Sequence, residues 1–437
     1  MYLEKNKVEF FNSILSKASQ EEKQEAIQHY FQQLWQMDNI IVLLGSGFTR
    51  AVNGPLMSDL SEEILPKIIL QGIEKLKENQ QEIESWKLLW NLDVSIFKEL
   101  NSLNAKYSSD DISSLKEHCK KINIEDKINE LQSICSACIY LGHDVKIYRE
   151  SLTKIKNAII DRISSITPHI GEDNFHLFID KLQPYRSFFK RLIKYRRPQQ
   201  PRIKVFTSNY DTVIEAVCDI EGIHCVTGFE GKTFRTLNPT VFDLDLNFKG
   251  TGQSSIYYAN VIHLYKLHGS VDWRMVKIDG VDEILQGEKE GGEVLIYPCY
   301  AKFAETLEAP YYEMFRRFGD ASSQTQTVLL SIGYGFYDDH INQMILRAYK
   351  NPSCQLLLCE PRITENENNF SDFIKHMKKL AMPEPDDQIS DPRITILGGK
   401  GVYFPEILST LFPPIEIESP SEEIKKFIQK LIKMGQE

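Results

Sequence analysis

The sequence predicts an α/β protein: a doubly wound parallel sheet that carries a large helical insertion. Three observations lead there. Short continuous apolar runs stop at glycine or a small polar residue, helix-like segments lie between several of these runs, and residues 61–199 keep helical periodicity without a convincing strand.

The first run is NIIVLLGSG (39–47), whose unbroken apolar stretch suits a strand buried on both faces of a parallel sheet. Similar runs return at RIKVFTSN (202–209), VIHLYKLHG (261–269), TVLLSIGYG (327–335), CQLLLCE (354–360) and RITILGG (393–399). DTVIEAVCDI and DHINQMILRAYK follow the second and fourth runs as helices. In such a sheet, ligands bind at the carboxyl ends of the strands. Between the first two runs, SEEILPKIILQGIEKLKENQQEIESWKLLWNL and NAIIDRISSI repeat apolar residues at spacings of three and four. A structureless loop of that length is improbable. The expected organisation is a discontinuous sheet domain of residues 1–60 and 200–415, a helical insertion of 61–199, and a C-terminal helix at 416–437. The polar stretch MPEPDDQISDP (382–392) reads as a loop.

Composition narrows the function classes. The chain has 437 residues, 51 basic against 61 acidic, for a net charge of -10, which argues against wholesale charge-driven nucleic-acid binding. One local exception is KRLIKYRRPQQPRIK (190–204), with seven basic residues and no acid. It reads either as a solvated helix end or as a contact for an anionic partner or nucleic acid. No apolar run of membrane-spanning length and no signal-like start are present, so a cytoplasmic protein without a membrane partner is expected. Eight scattered cysteines give no disulfide framework. The single CxxC, Cys135 to Cys138, lies in the helical insertion without a second pair; it reads as buried helix cysteine, and no metal is expected.

The residues with chemical capacity lie at strand ends. In LLGSGFTRAVNGP the first strand stops at Gly45 and turns through Ser46, Gly47, Phe48 and Thr49 to Arg50, a plausible diphosphate cradle or a plain strand-to-helix turn. In FTSNYDTVIEA, Ser208, Asn209, Tyr210 and Asp211 precede a helix. Asp211 fits an N-cap, whereas Asn209 both donates and accepts, as holding a ribose hydroxyl or a water requires. YKLHGSVDWR places His268 at a strand end, where imidazole is the natural base near neutral pH. In LLSIGYGFYDDHINQMI, Gly333 and Gly335 end a strand, and Asp338 or Asp339 caps the next helix.

Taken in order, GSGFT with Asn53, Gly54 and Pro55, then TSNYD, LHGSVDW, the IYP run at 296–298 with Lys302 after it, and GYGFYDDHIN resemble the sirtuin-like superfamily. The likeness is to its divergent bacterial NAD-hydrolysing branch associated with anti-phage defence. The resemblance implies a Rossmann-like sheet and NAD as substrate. It puts Gly45, Ser46, Gly47 and Thr49 around the diphosphate and Asn209 and Asp211 near the nicotinamide ribose and carboxamide. His268 is then the base, Gly333 and Gly335 fall on the adenosine side, and Arg50, Gly54, Ser208 and Tyr210 complete the binding set. Sirtuin deacetylases carry an arginine soon after the first Gly-Pro and two CxxC pairs after the histidine; here LMSDL follows Pro55 and no CxxC follows His268. The expected activity is therefore hydrolysis of NAD to nicotinamide and ADP-ribose, or cyclisation if water is excluded. A non-catalytic NAD or ADP-ribose sensor and a subunit of a nucleic-acid-processing complex are the alternatives. Expected partners are further copies of the chain and, by the same resemblance, a HerA-type ATPase or another defence-system subunit. Activation by assembly is expected, since an unrestrained NAD hydrolase is toxic to its own cell.

Overall fold

Strand β2 (Asn39–Leu44) is buried at every position and organises the fold. Its alternate residues face two different cores. Ile40, Val42 and Leu44 join one, and Ile41 and Leu43 join the other. The computed structural model describes residues 9–11, 20–76, 80–92, 109–197, 199–248, 256–287, 292–295, 310–364, 369–382 and 390–412.

Strand β1 (Glu9–Phe11) and helix α1 (Gln20–Gln36) precede β2, and a 3-10 segment, Ser46–Val52, follows it. Among the described residues, only helices come next: α2 (Met57–Leu76), α3 (Gln80–Leu89), α4 (Ser109–Lys120), α5 (Ile124–Leu141), α6 (Lys146–Ser164), α7 (Phe175–Lys181) and α8 (Gln183–Lys194). The chain then enters β3 (Ile203–Thr207), α9 (Val213–Glu221), β4 (His224–Val226), β5 (Phe229–Glu230) and β6 (Arg235–Leu237). A two-stranded ribbon, β7 (Asn247–Phe248) with β8 (Ile256–Tyr257), leads to β9 (Val261–Lys266), β10 (Gly269–Ile278), β11 (Val281–Gln286) and β12 (Gly292–Leu295). The remainder is α10 (Tyr311–Ser322), β13 (Thr327–Ile332), α11 (Asp339–Tyr349), β14 (Cys354–Cys359), α12 (Asp372–Ala381), β15 (Ile394–Gly398) and α13 (Leu408–Leu411).

Eight strands form the main sheet in the order β1-β15-β14-β13-β2-β3-β9-β4, every pair parallel except β1 with β15. Segments 163 residues apart in sequence pair directly, with Ile41 opposite Lys204 and Leu44 opposite Thr207. One face of the sheet is covered by α1, α2, α6, α8 and α9, through Trp35, Leu65, Ile159, Phe188 and Val217. The other is covered by α10, α11 and α12, through Phe318, Ile345 and Met377. Each of these fully buried side chains contributes roughly 1.5–3 kcal/mol over an exposed one.

Two features depart from the sequence reading. The main sheet has eight strands, two more than the apolar runs mark, because β1 and β4 are three-residue edge strands. A second, antiparallel sheet, β12-β10-β11-β6-β5, has its longest strand, β10, begin directly after His268. Its signal was the Asp279-Gly280 pair, which turns β10 into β11 with φ of 49° and 84°, the left-handed residues that a two-residue hairpin needs.

Other expectations meet particular contacts. The seven cysteines among the described residues are thiols; Cys135 is buried and Cys138 half-buried on α5. Of the basic residues at 190–204, Lys190 pairs with Glu221 and Arg202 with Asp245. Arg191 and Arg196 donate to the backbone carbonyls of Phe412 and Met37. No described helix is long and apolar enough to cross a membrane. The IYP run, Lys302, residues 383–389 of the polar stretch and the helix expected at 416–437 lie outside the described residues.

Candidate functional site

Five neighbouring strands deliver their carboxyl ends to one edge of the main sheet. β2 ends before Gly45, β3 before Ser208 and Asn209, β9 before Leu267 and His268, β13 before Gly333, and β14 before Glu360. From β2 the sheet continues outward through β3 to β9, and from β13 outward through β14 to β15. The reversal between β2 and β13 is the switch point beside which open α/β sheets bind ligands.

The loops after β2 and β13 lie backbone against backbone. Gly47 donates its N–H to the Gly333 carbonyl at 2.9 Å, Gly45 donates to Ile332, and Phe48 donates back to Gly45. A Cβ on Gly45 would stand 2.6 Å from the Gly333 oxygen, and one on Gly333, whose φ is +66°, would stand 2.2 Å from the Phe48 nitrogen. These glycines thus answer a close approach of two main chains, and three N–H groups that suited a diphosphate already have partners inside the protein. Behind the loop, Phe48 packs on Tyr185 of α8 and on Phe404, and the Tyr185 hydroxyl donates to the Phe48 carbonyl. Arg50 turns away to pair with Asp59 on α2. Gly54 backs onto Thr49, since a Cβ there would meet the Thr49 hydroxyl at 2.3 Å. Gly335 lies against the Tyr337 ring.

Thr49 links this loop to the turn after β3. Asn209 donates from Nδ2 to the Gly45 carbonyl at 3.1 Å and reaches Thr49 Oγ1 at 3.5 Å. Asp211 accepts from the Val213 N–H at 3.2 Å, with the Thr49 hydroxyl close by. It therefore serves the first turn of α9, whose N-cap position is Thr212. Burial pushes the Asp211 carboxyl above its usual range, with the Lys266 ammonium pulling partly against it. Ser208 continues the ladder, its N–H donating to Leu44.

Lys266 holds this turn from beneath. Its ammonium is buried and donates to the Asp211 carbonyl at 2.5 Å, the Ser270 hydroxyl at 2.7 Å, Glu215 Oε1 at 3.0 Å and the Tyr210 carbonyl at 3.4 Å. Desolvation pushes its pKa down, but Glu215, Asp272 and Asp211 together outweigh that, so it stays charged with a pKa above the ordinary lysine value. Burial raises Glu215 as well. Lys266 escaped the sequence reading, although a lysine inside the otherwise apolar run VIHLYKLHG marks a charge that must find partners in the interior.

His268 is buried in the turn between β9 and β10, next to Gly269 at φ +83°. The Leu267 N–H donates to the Thr207 carbonyl, and β3 pairs with β9, so His268 and Asn209 follow adjacent strands. The Tyr210 ring centroid is 6.3 Å from that of His268. On its other side, His268 Nε2 is 3.0 Å from Nε2 of His340, with Asp338 close to both rings. Asp338 occupies the N-cap position of α11 but makes no side-chain capping bond, contrary to the sequence reading. Its loop is held by Tyr334, which donates to the Asp338 carbonyl, and by Asn342, which donates to the Phe336 carbonyl. Phe336 takes a left-handed φ of 59° and buries its ring against Phe373. His340 stands inside the motif GYGFYDDHIN, yet only its position facing the β9 turn gives it a role.

With this geometry in place, residues 203–372 match the family model described as SIR2-like domain, which supports a sirtuin-like family. The matched segment contains Asn209, Asp211, His268 and His340, and covers less than half of the chain. No curated protein is similar enough to count as a match.

Proposed function

We propose that the chain hydrolyses NAD to nicotinamide and ADP-ribose, with the nicotinamide ribose held between Asn209 and His268. The observation that carries this reading is the placement of these two side chains after adjacent parallel strands, beside the sheet reversal and within the SIR2-like segment. Nicotinamide leaves as a cation's neutral product, so the bond from C1′ to the ring nitrogen breaks with its electron pair going to that nitrogen. Little acid assistance is needed. Water supplies the oxygen that bonds to C1′ and loses one proton.

Asn209 orients the ribose and the water, its amide already steadied by the Gly45 carbonyl. His268 accepts the proton from the water or from a ribose hydroxyl. Asp211 steadies the first turn of α9 through the Val213 N–H and faces the nicotinamide carboxamide. Ser46, Gly47, Thr49 and Gly54 form the loop that faces the diphosphate, while Gly333 and Gly335 line the adenosine side. Departures from the deacetylase pattern after Pro55 and after His268 favour water over an acetyl-lysine as acceptor.

The motif resemblance extends the proposal to a cytoplasmic effector of bacterial anti-phage defence that kills or arrests the infected cell by depleting NAD. It is controlled by self-assembly or by a HerA-type ATPase. Incubation of the purified chain with NAD, alone and with its genomic neighbours, and chromatographic separation of nicotinamide and ADP-ribose test the reading. NAD binding without nicotinamide release under every condition would replace it with a nucleotide sensor.

A further inference from the structure

We propose that His268, His340 and Asp338 bind one divalent transition-metal ion of the zinc class. Three electron-pair donors from two elements converge here, one donor atom of each lying within 4.8 Å of the others. The two Nε2 atoms are 3.0 Å apart. A tetrahedral ion with metal–nitrogen bonds of about 2.0–2.1 Å spaces its ligands by roughly 3.3 Å, so the rings need only a slight opening. The Asp338 carboxylate stands 3.9 Å from His268 Nε2 and 3.8 Å from His340 Nδ1, beyond hydrogen-bond length from these atoms. Roughly half an ångström of inward movement brings Oδ2 to ligand spacing from His268 Nε2; the shorter approach to His340 is from the other oxygen to its other ring nitrogen, so the carboxylate closes on His340 Nε2 from within the 4.8 Å that spans the three donors.

The donor set selects the ion. Two imidazoles and one carboxylate suit zinc(II) and its borderline neighbours, whereas magnesium and calcium require oxygen ligands. His268 is buried, but the side chains of Asp338 and His340 keep 22% and 15% of their exposure, which leaves an open coordination position on their side. The set is also built before any ion arrives. Tyr334 and Asn342 fix the loop that carries Asp338, and the His340 ring packs edge-on to Phe315 at 5.1 Å. An ion here takes the lone pair of His268 and so blocks its service as a base. That inhibitory consequence rests on the hydrolase reading; occupancy of the site does not.

The test uses the full chain, stripped with chelator and titrated with cobalt(II), whose visible absorption reports protein ligands, followed by zinc competition. One ion per chain is expected. His340→Gln and Asp338→Asn should each weaken affinity on the order of a hundredfold or more, the upper end of what losing even an outer-shell partner costs. The double variant Cys135→Ser/Cys138→Ser should bind as the wild type does. Melting of the metal-free variants checks the fold, and if one of the two variants does not fold, the other carries the comparison. No uptake in excess cobalt, or uptake unchanged in these two variants, overturns the proposal. Nicotinamide release by the metal-free chain is measured separately. A chain that binds the ion but never releases nicotinamide removes the hydrolase and keeps the site; an active chain without uptake does the reverse.

Discussion

Replacing Lys266 by methionine should cost about 3–5 kcal/mol of stability, the range for removing one partner of a buried ion pair. The structure supplies the reasons. Lys266 is 2% exposed and donates to one carboxylate, one hydroxyl and two carbonyls. Methionine matches its length and apolar stem but leaves those acceptors without a donor. The bond to the Glu215 carboxylate accounts for roughly 1.5–3 kcal/mol, and orphaned acceptors for about 1–3 kcal/mol each, before local relaxation returns part of the loss. Among the described residues Glu215 Oε2 has no hydrogen-bond partner, so the carboxylate has no second contact there to fall back on. Urea unfolding should therefore show a much lower midpoint at unchanged slope. Adding Glu215→Leu should restore about 1–3 kcal/mol, because the carboxylate that Lys266 bonds is then removed with it. NAD turnover should fall in the single variant even where it is fully folded, since the turn carrying Asn209 and Asp211 loses its tether. A single variant within about 1 kcal/mol of wild type, with no recovery in the double variant, would refute the reasoning.

Asn209→Ala should lower NAD hydrolysis by about a hundredfold or more, on the order of 3 kcal/mol in barrier, with the melting temperature nearly unchanged; retention of turnover in a folded variant sinks the assignment. Gly333→Ala puts a Cβ 2.2 Å from the Phe48 nitrogen at a left-handed φ, so the protein should lose well over 1 kcal/mol of stability. A melting curve that superimposes on wild type would show that the two loops do not meet this closely. The pKa of His263 is lowered to about 4 by burial, with the Lys204 charge adding to it. Because the unfolded chain binds the proton first, stability should fall as pH drops from about 6.5 toward 4, by about 2 kcal/mol at pH 5. His263→Phe should flatten that dependence in thermal melts across the window; an unchanged slope rules His263 out as its source.

The sequence by itself determined the strands that are buried on both faces, because continuous apolar runs such as NIIVLL have no other stable setting, and with them the strand ends where Asn209 and His268 stand. It also marked helices between these runs through spacing alone, a local property of the chain that the described residues of 61–199 share. The hairpin at Asp279-Gly280 is equally local, since the turn pair lies in the sequence itself. What only the tertiary structure decided were relations between distant segments. In sequence Gly45, Gly47 and Gly333 are only glycines at strand ends; that two loops nearly 290 residues apart pack main chain on main chain there is a contact no local pattern encodes. Lys266 read as an interruption in a strand until Glu215, Ser270 and the turn after β3 close around it. Asp338 read as a cap because its position in the helix is local, whereas the direction of its carboxylate depends on His268, which a different strand delivers. Propensity and periodicity are written in neighbouring residues; electrostatic partners and close approaches exist only once the sheet has brought the strand ends together.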